Sequence, residues 1–199
     1  MSSARSPLTE FLTSHERADP QSAGLYLSER PFLGYLNLKG EGSEFLNRVE
    51  RCLEIPVPVQ PNTLTANDDI TLLWLAPNEW LLIAPSESEG KIAHKLRAAL
   101  DGVFSAVTDV THHQTILRIQ GDRVLDVLRK GCSLDFHLSV FGPNRCAQTL
   151  FDNVGITILR AGPLLSFDLI VRRSFAEYVA LRIKDAAEEY GFAVGIERL

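Results

Sequence analysis

Three short stretches of this chain hold residue types that carry chemistry. Asp109-Val110-Thr111-His112-His113 brings a carboxylate and two imidazoles close together, the groups used by zinc centres and by acid and base catalysis. Cys132, His137 and Cys146, with Cys52 further back, offer thiolates and an imidazole. Gly40-Glu41-Gly42-Ser43 is a glycine turn ahead of a helical pattern, a setting in which backbone amides cradle phosphate.

Spacing argues against all three. Read as strand residues, His112 and His113 point to opposite faces and cannot share one ion, and no HExxH pair is present. They are expected as pH-responsive or interface histidines. The cysteines lack the C-x2-4-C knuckles of structural zinc and the flanks of a Cys/His nucleophile, so buried free thiols are expected. The glycine turn has no lysine after it and no GxGxxG, and Glu41 would repel an anion. A tight turn accounts for it better. No catalytic, cofactor or metal site is expected on this chain.

Other residues suit contacts with a second protein. Arg172 and Arg173 close the last long apolar strand, where arginine serves an interface or a solvated strand end. Trp74 and Trp80 flank the turn Pro77-Asn78-Glu79 and anchor either the core or a subunit contact. With His112 and His113 these form the set of candidate subunit contacts.

The composition that must position them is ordinary and globular: 199 residues, 45% hydrophobic, 23% charged, with a formal charge of -5. That charge works against a polyanion partner, so no nucleic acid is expected. The first 21 residues hold no apolar run of signal-peptide length, and no stretch has the ~18 apolar residues of a membrane span. A cytoplasmic protein without membrane contact is expected, and three scattered cysteines fit a reducing compartment.

The elements repeat. Tyr35-Leu36-Asn37-Leu38 alternates like a strand, stops at Gly40, and leads into apolar helical spacing at Phe45, Leu46, Val49 and Leu53. Ile116-Leu117-Arg118-Ile119, Gly121, an N-cap at Asp122, and Val124, Leu125, Val127 and Leu128 up to Gly131 repeat that order. Pro61-Asn62 matches Pro143-Asn144. The hairpin of 70–83 around Pro77 matches that of 156–171 around Pro163. Ser86-x-x-Glu89 and Ser174-x-x-Glu177 both have capping-box spacing, opening helices that run to about Leu100 and Tyr190. Short strands at 24–27 and 103–110 precede each unit. The expectation is an α+β chain with ββαβββα twice: a flexible segment 1–21, one domain 22–190 made of repeats at about 22–100 and 101–190, and a tail 191–199.

Two resemblances follow from these residues. Asp109-Val110-Thr111, the strand after it, Gly121-Asp122 and the helix of Val124 to Leu128 resemble the start of the folate-binding domain of glycine-cleavage aminomethyltransferases. A wider set is similar to the gamma-subunit family of heterotetrameric sarcosine oxidases: Trp74-Leu75-Ala76-Pro77-Asn78-Glu79-Trp80-Leu81-Leu82, Lys130-Gly131-Cys132-Ser133-Leu134-Asp135, Arg145-Cys146-Ala147-Gln148-Thr149-Leu150 and Val171-Arg172-Arg173-Ser174-Phe175-Ala176. The likeness covers about 25–190.

That resemblance implies a duplicated ferredoxin-like fold of the aminomethyltransferase folate-domain type. It implies an accessory, non-catalytic subunit with alpha, beta and delta partners. In such assemblies sarcosine is oxidised to glycine with release of hydrogen peroxide, and the one-carbon unit passes to tetrahydrofolate. FAD, FMN, NAD and zinc are expected on the other subunits, and none on this chain. Aminomethyltransferases carry a Gly-Gly-x-x-x-Asp style segment where this chain has Val154-Gly155-Ile156-Thr157-Ile158-Leu159-Arg160. The missing acid removes a proton-transfer and electrostatic partner, which disfavours the alternative of a stand-alone folate-binding aminomethyltransferase. Lys130-Gly131-Cys132 partly echoes the Lys-Gly-Cys-Tyr-x-Gly-Gln motif of folate-domain relatives that assist iron–sulfur proteins. Ser133-Leu134-Asp135 then breaks it.

Overall fold

The computed structural model describes residues 5–15, 23–162 and 165–196. In chain order its first elements are α1 (Thr9–Ser14), β1 (Leu25–Arg30), β2 (Gly34–Gly40), α2 (Gly42–Leu53), β3 (Leu64–Ala66), β4 (Thr71–Ala76), β5 (Glu79–Ala84) and α3 (Glu89–Ala99). There follow β6 (Ser105–Asp109), β7 (Gln114–Gln120), α4 (Val124–Gly131), β8 (Cys146–Phe151), β9 (Val154–Arg160), β10 (Ser166–Arg172), α5 (Ala176–Ala187) and β11 (Phe192–Ile196). Short 3-10 turns lie at Thr111–His113, Arg173–Phe175 and Glu188–Tyr190. The architecture is mixed α+β with two sheets.

The five-stranded unit is formed by Phe32–His112 and Asn144–Ala147. Its strand order is β3-β4-β5-β2-β6, antiparallel in every pair. Alternation along the strands turns Leu36, Leu38, Leu72, Trp80 and Leu82 to one face, where they meet Phe45, Val49 and Leu53 of α2 and Ala93 and Leu96 of α3. The three α2 residues lie at i, i+4 and i+8, one stripe of a 3.6-residue helix.

The six-stranded unit draws on Met1–Pro31, His113–Pro143 and Gln148–Leu199. Its order is β11-β1-β7-β10-β9-β8, with β11 parallel to β1 and β1, β7, β10 and β9 successively antiparallel. Val124, Val127 and Leu128 of α4 and Val179, Ala180 and Ile183 of α5 are buried. The stretches β3-β4-β5-β2 and β8-β9-β10-β7 follow the same order. The neighbour of β2 is β6, and the neighbour of β7 is β1. Each repeat therefore sends its first strand into the other repeat's sheet, and the sequence repeats 22–100 and 101–190 do not coincide with the compact units.

Several local expectations are corrected. Within segments 1–21 and 191–199, read as flexible and as a tail, the described residues include α1, which buries Phe11 and Leu12 behind a buried Leu8 at its N-cap, and β11, which pairs with β1. Neither capping box forms. Helix α3 starts after Ser88, whose amide and hydroxyl both donate to the Pro85 carbonyl at 3.2 and 2.6 Å. Helix α5 starts after Phe175, and Ser174 sits in a 3-10 turn that tightens the entry. Arg123, not Asp122, precedes α4, and no side-chain cap bond forms there. Helix α4 does end at Gly131, where a Cβ would lie 2.8 Å from the ring of Phe151. Pro163 lies outside the described residues.

Candidate functional site: a tryptophan groove

Both tryptophans of the chain converge in the five-stranded unit. Strands β4 and β5 are joined by Pro77 and Asn78. Proline fixes its own φ, and Asn78 takes the left-handed φ of 65° that asparagine tolerates. The register then slips between Trp74 and Ala76: Ala76 faces Glu79, but Trp74 faces Trp80. Without that bulge Trp74 would fall opposite Leu81 and project from the other face. With it, both indoles share the face that carries α2.

Trp80 belongs to the core, at 4% exposure. It stacks on Phe45 with ring centroids 5.5 Å apart, and its indole N–H donates to the Pro58 carbonyl at 2.7 Å. Trp74 is half-buried and packs on the edge of the same core. Together they floor a groove of about 340 Å³ whose walls include Leu46, Val59, Pro61 and Pro77. Val59 is 57% exposed. The groove's one charged lining residue is Glu41, whose carboxylate accepts a 3.4 Å bond from the Asn78 amide. Gly42, at φ 84°, lets the chain turn from Glu41 straight into α2. The surface suits an apolar side chain with a cation beside it.

The other candidate contacts are not gathered there. Arg172 is exposed at the end of β10, opposite Gln114, the residue after His113. Arg173 donates to the Arg5 carbonyl at 2.9 Å. His112 and His113 are exposed in a 3-10 turn, not on a strand as the sequence reading has it. Asp109 and Thr111 have a structural task. The Thr111 amide donates to the Asp109 carboxylate at 2.9 Å, which holds the Asp109 pKa below the usual carboxylate range. The Thr111 hydroxyl accepts the Tyr35 amide at 3.0 Å.

The cysteines and His137 each have separate partners. Cys132 lies 3.5 Å from the Thr149 hydroxyl, and His137 pairs with Ser139 at 2.7 Å. The Cys146 thiol donates to the Thr63 and Trp74 carbonyls at 3.4 and 3.6 Å. Among the described residues no group of three or more His, Cys, Asp or Glu could hold a metal ion. Burial pushes the Cys146 thiol up to about 11. It pushes Cys52 up as well, against the opposing pull of Lys95. Cys52 is nevertheless the most accessible of the three. Labelling of the native chain with a chromogenic disulfide at pH 8 should therefore modify Cys52 first, and Cys132 and Cys146 only in denaturant. Rapid loss of the Cys146 thiol in the native chain would contradict this placement.

Strand β9, where the sequence lacks the aminomethyltransferase acid, ends in Arg160. Its guanidinium donates to the Phe141 and Phe136 carbonyls at 3.1 and 3.4 Å and lies over the Phe167 ring at 4.8 Å. Sequence reasoning missed a polar cluster in the same unit. Asp168, 2% exposed, receives both Arg118 and Arg30. Its signal was a lone acid inside an otherwise apolar strand. No helix is long and apolar enough to cross a membrane among the described residues.

The sarcosine oxidase, gamma subunit family matches residues 40–189. The chain is similar to sarcosine oxidase subunit gamma of an Arthrobacter species, 35% identical over 125 residues, 63% of this chain and 60% of that protein. It is 34% identical over 119 residues to sarcosine oxidase subunit gamma of Corynebacterium sp. strain P-1, 60% of this chain and 57% of that protein. The chain thus spans under two thirds of the length of these relatives. Among solved structures it is similar to a chain of the heterotetrameric sarcosine oxidase from Corynebacterium sp. U-96 in complex with pyrrole 2-carboxylate. That likeness has a TM-score of 0.84 and 26% identity, and covers 94% of this chain and 96% of that one. The glycine cleavage system aminomethyltransferase T from Bartonella henselae shares the fold, with a TM-score of 0.65 and 15% identity, over 98% of this chain and 59% of that one.

Proposed function

This chain belongs to the sarcosine oxidase gamma subunit family, and on that premise we propose that it is the accessory, non-catalytic gamma subunit of a heterotetrameric sarcosine oxidase. The observation that carries this reading is the likeness, along 94% of the chain, to one chain of a heterotetrameric sarcosine oxidase. Its partners are then alpha, beta and delta subunits, to which FAD, FMN, NAD and zinc are assigned. The assembly would act in the cytoplasm, oxidising sarcosine to glycine with release of hydrogen peroxide and passing the one-carbon unit to tetrahydrofolate.

The common strand order in the two sheets supports a duplicated ferredoxin-like fold of the aminomethyltransferase folate-domain type, its first strands exchanged between repeats. The subunit works by presenting surface. Trp74 is the strongest contact candidate, with Arg172, His112 and His113 at other exposed points and Arg173 half-buried against Arg5, while Trp80 supports Trp74 from below.

Co-expression with the other subunits of the complex tests the role. This chain should co-purify with them in constant ratio, and its omission should lower the yield of assembled, active oxidase. Full assembly and activity without it would end the proposal. Tight binding of tetrahydrofolate by the isolated chain would point instead to a stand-alone aminomethyltransferase-like protein.

A further inference from the structure

The Trp74 groove is chemically one-sided. Its proline walls have no amide N–H to give, and the Trp80 indole N–H is already spent on the Pro58 carbonyl. The first amides of α2 open there without a side-chain cap, but the Glu41 carboxylate stands directly before them and would repel a phosphate or carboxylate. A small polar ligand needs several converging polar groups. Here the Glu41 carboxylate and the Asn78 amide are bonded to each other. What remains is an indole, two prolines and aliphatic side chains beside one negative charge. Aromatic and proline surfaces of this kind receive extended chains, proline-bearing ones above all, and an acid at the edge selects a basic neighbour. The floor is already set by the Phe45–Trp80 stack and the β4–β5 register, which reduces the ordering cost of binding.

We infer that this groove docks an extended segment of a partner chain, which seats a proline or branched aliphatic side chain on Trp74 and reaches Glu41 with a lysine or arginine. The inference rests on the accessory-subunit reading and names the chemistry of the partner.

The test uses the full chain co-expressed with the other oxidase subunits, with a photoreactive p-benzoylphenylalanine in place of Val59. Irradiation and peptide mapping should return one partner segment that has an apolar residue at the cross-link and a lysine or arginine within about three residues, the reach of an extended strand. Trp74→Ala should weaken association about thirtyfold, the scale of an interface hot spot. Because Trp74 also touches the core, Glu41→Lys serves as an independent variant on an exposed side chain. It should weaken association at least about tenfold, and Glu41→Gln should flatten its salt dependence.

If the subunits co-purify but the probe captures nothing, or captures a segment without a basic residue, the groove assignment falls and the subunit role stands. An unchanged affinity for Glu41→Lys has the same meaning. If the chain does not co-purify at all, both fall together.

Discussion

Asp168→Ala should lower the unfolding free energy of the chain by about 3 kcal/mol, the scale of a buried ion pair broken on one side. Asp168 sits mid-strand in β10 with its side chain 3% exposed. The antiparallel register sets it directly opposite Arg118 on β7. Arg118 grips both carboxylate oxygens, Nε to Oδ1 at 2.6 Å and Nη2 to Oδ2 at 2.8 Å, and Arg30 on β1 adds a bond to Oδ2 at 3.2 Å. One acid thus ties three adjacent strands together and balances two guanidiniums. Alanine at 168 leaves those cations side by side without it, so the loss includes their repulsion as well as the missing hydrogen bonds. Asp168→Asn keeps the shape and some of the bonds and should lose less. Urea unfolding reads the difference as a lower midpoint at unchanged slope. A loss under about 1 kcal/mol for the alanine variant would show that the pair is merely tolerated.

That cluster also marks where sequence reading reached its limit. The alternation of β2, the short apolar runs of β7 and β10 and the helical stripes of α2 and α4 identified those elements, because such patterns are local properties of the chain. Which strand lies beside which is not local. Nothing around Leu25 says that β1 will pair with β7, ninety residues on, or that β6 will return to β2. The ends of helices were also hidden. Ser86 and Ser174 had the right spacing for caps, but Ser88, which folds back on Pro85, and a 3-10 turn at Arg173 met the backbone's needs differently.

The site shows the same division. Trp74 and Trp80 were visible as a pair, but whether they met depended on one extra residue. A regular two-residue hairpin would have put them on opposite faces, and the bulge between Trp74 and Ala76 put them on one. The glycines behave similarly. Gly40 read as a turn residue, yet its stronger constraint is spatial: a Cβ there would stand 2.3 Å from the ring of Phe45. Sequence shows that a glycine is present, and the three-dimensional packing shows which atom excludes a side chain.

The contact between Gly40 and Phe45 gives the other large prediction. Phe45 is fully buried, stacks on Trp80 and so supports the groove from beneath. Phe45→Ala should destabilise the chain by about 3–5 kcal/mol through lost burial and the cavity left behind. Both tryptophans line the groove, so their emission should shift to the red as water approaches Trp80. Gly40→Ala alone should lose about 1–3 kcal/mol, because the new methyl is driven into the ring. In the double variant the ring is gone and the methyl occupies part of the vacated space. The combined loss should therefore be smaller than the sum of the two single losses, by 1 kcal/mol or more in a double-mutant cycle read from urea midpoints, about the coupling expected of residues in contact. Strict additivity would mean that Phe45 moves aside freely, and the floor of the groove would then be a soft surface that forms only when something binds.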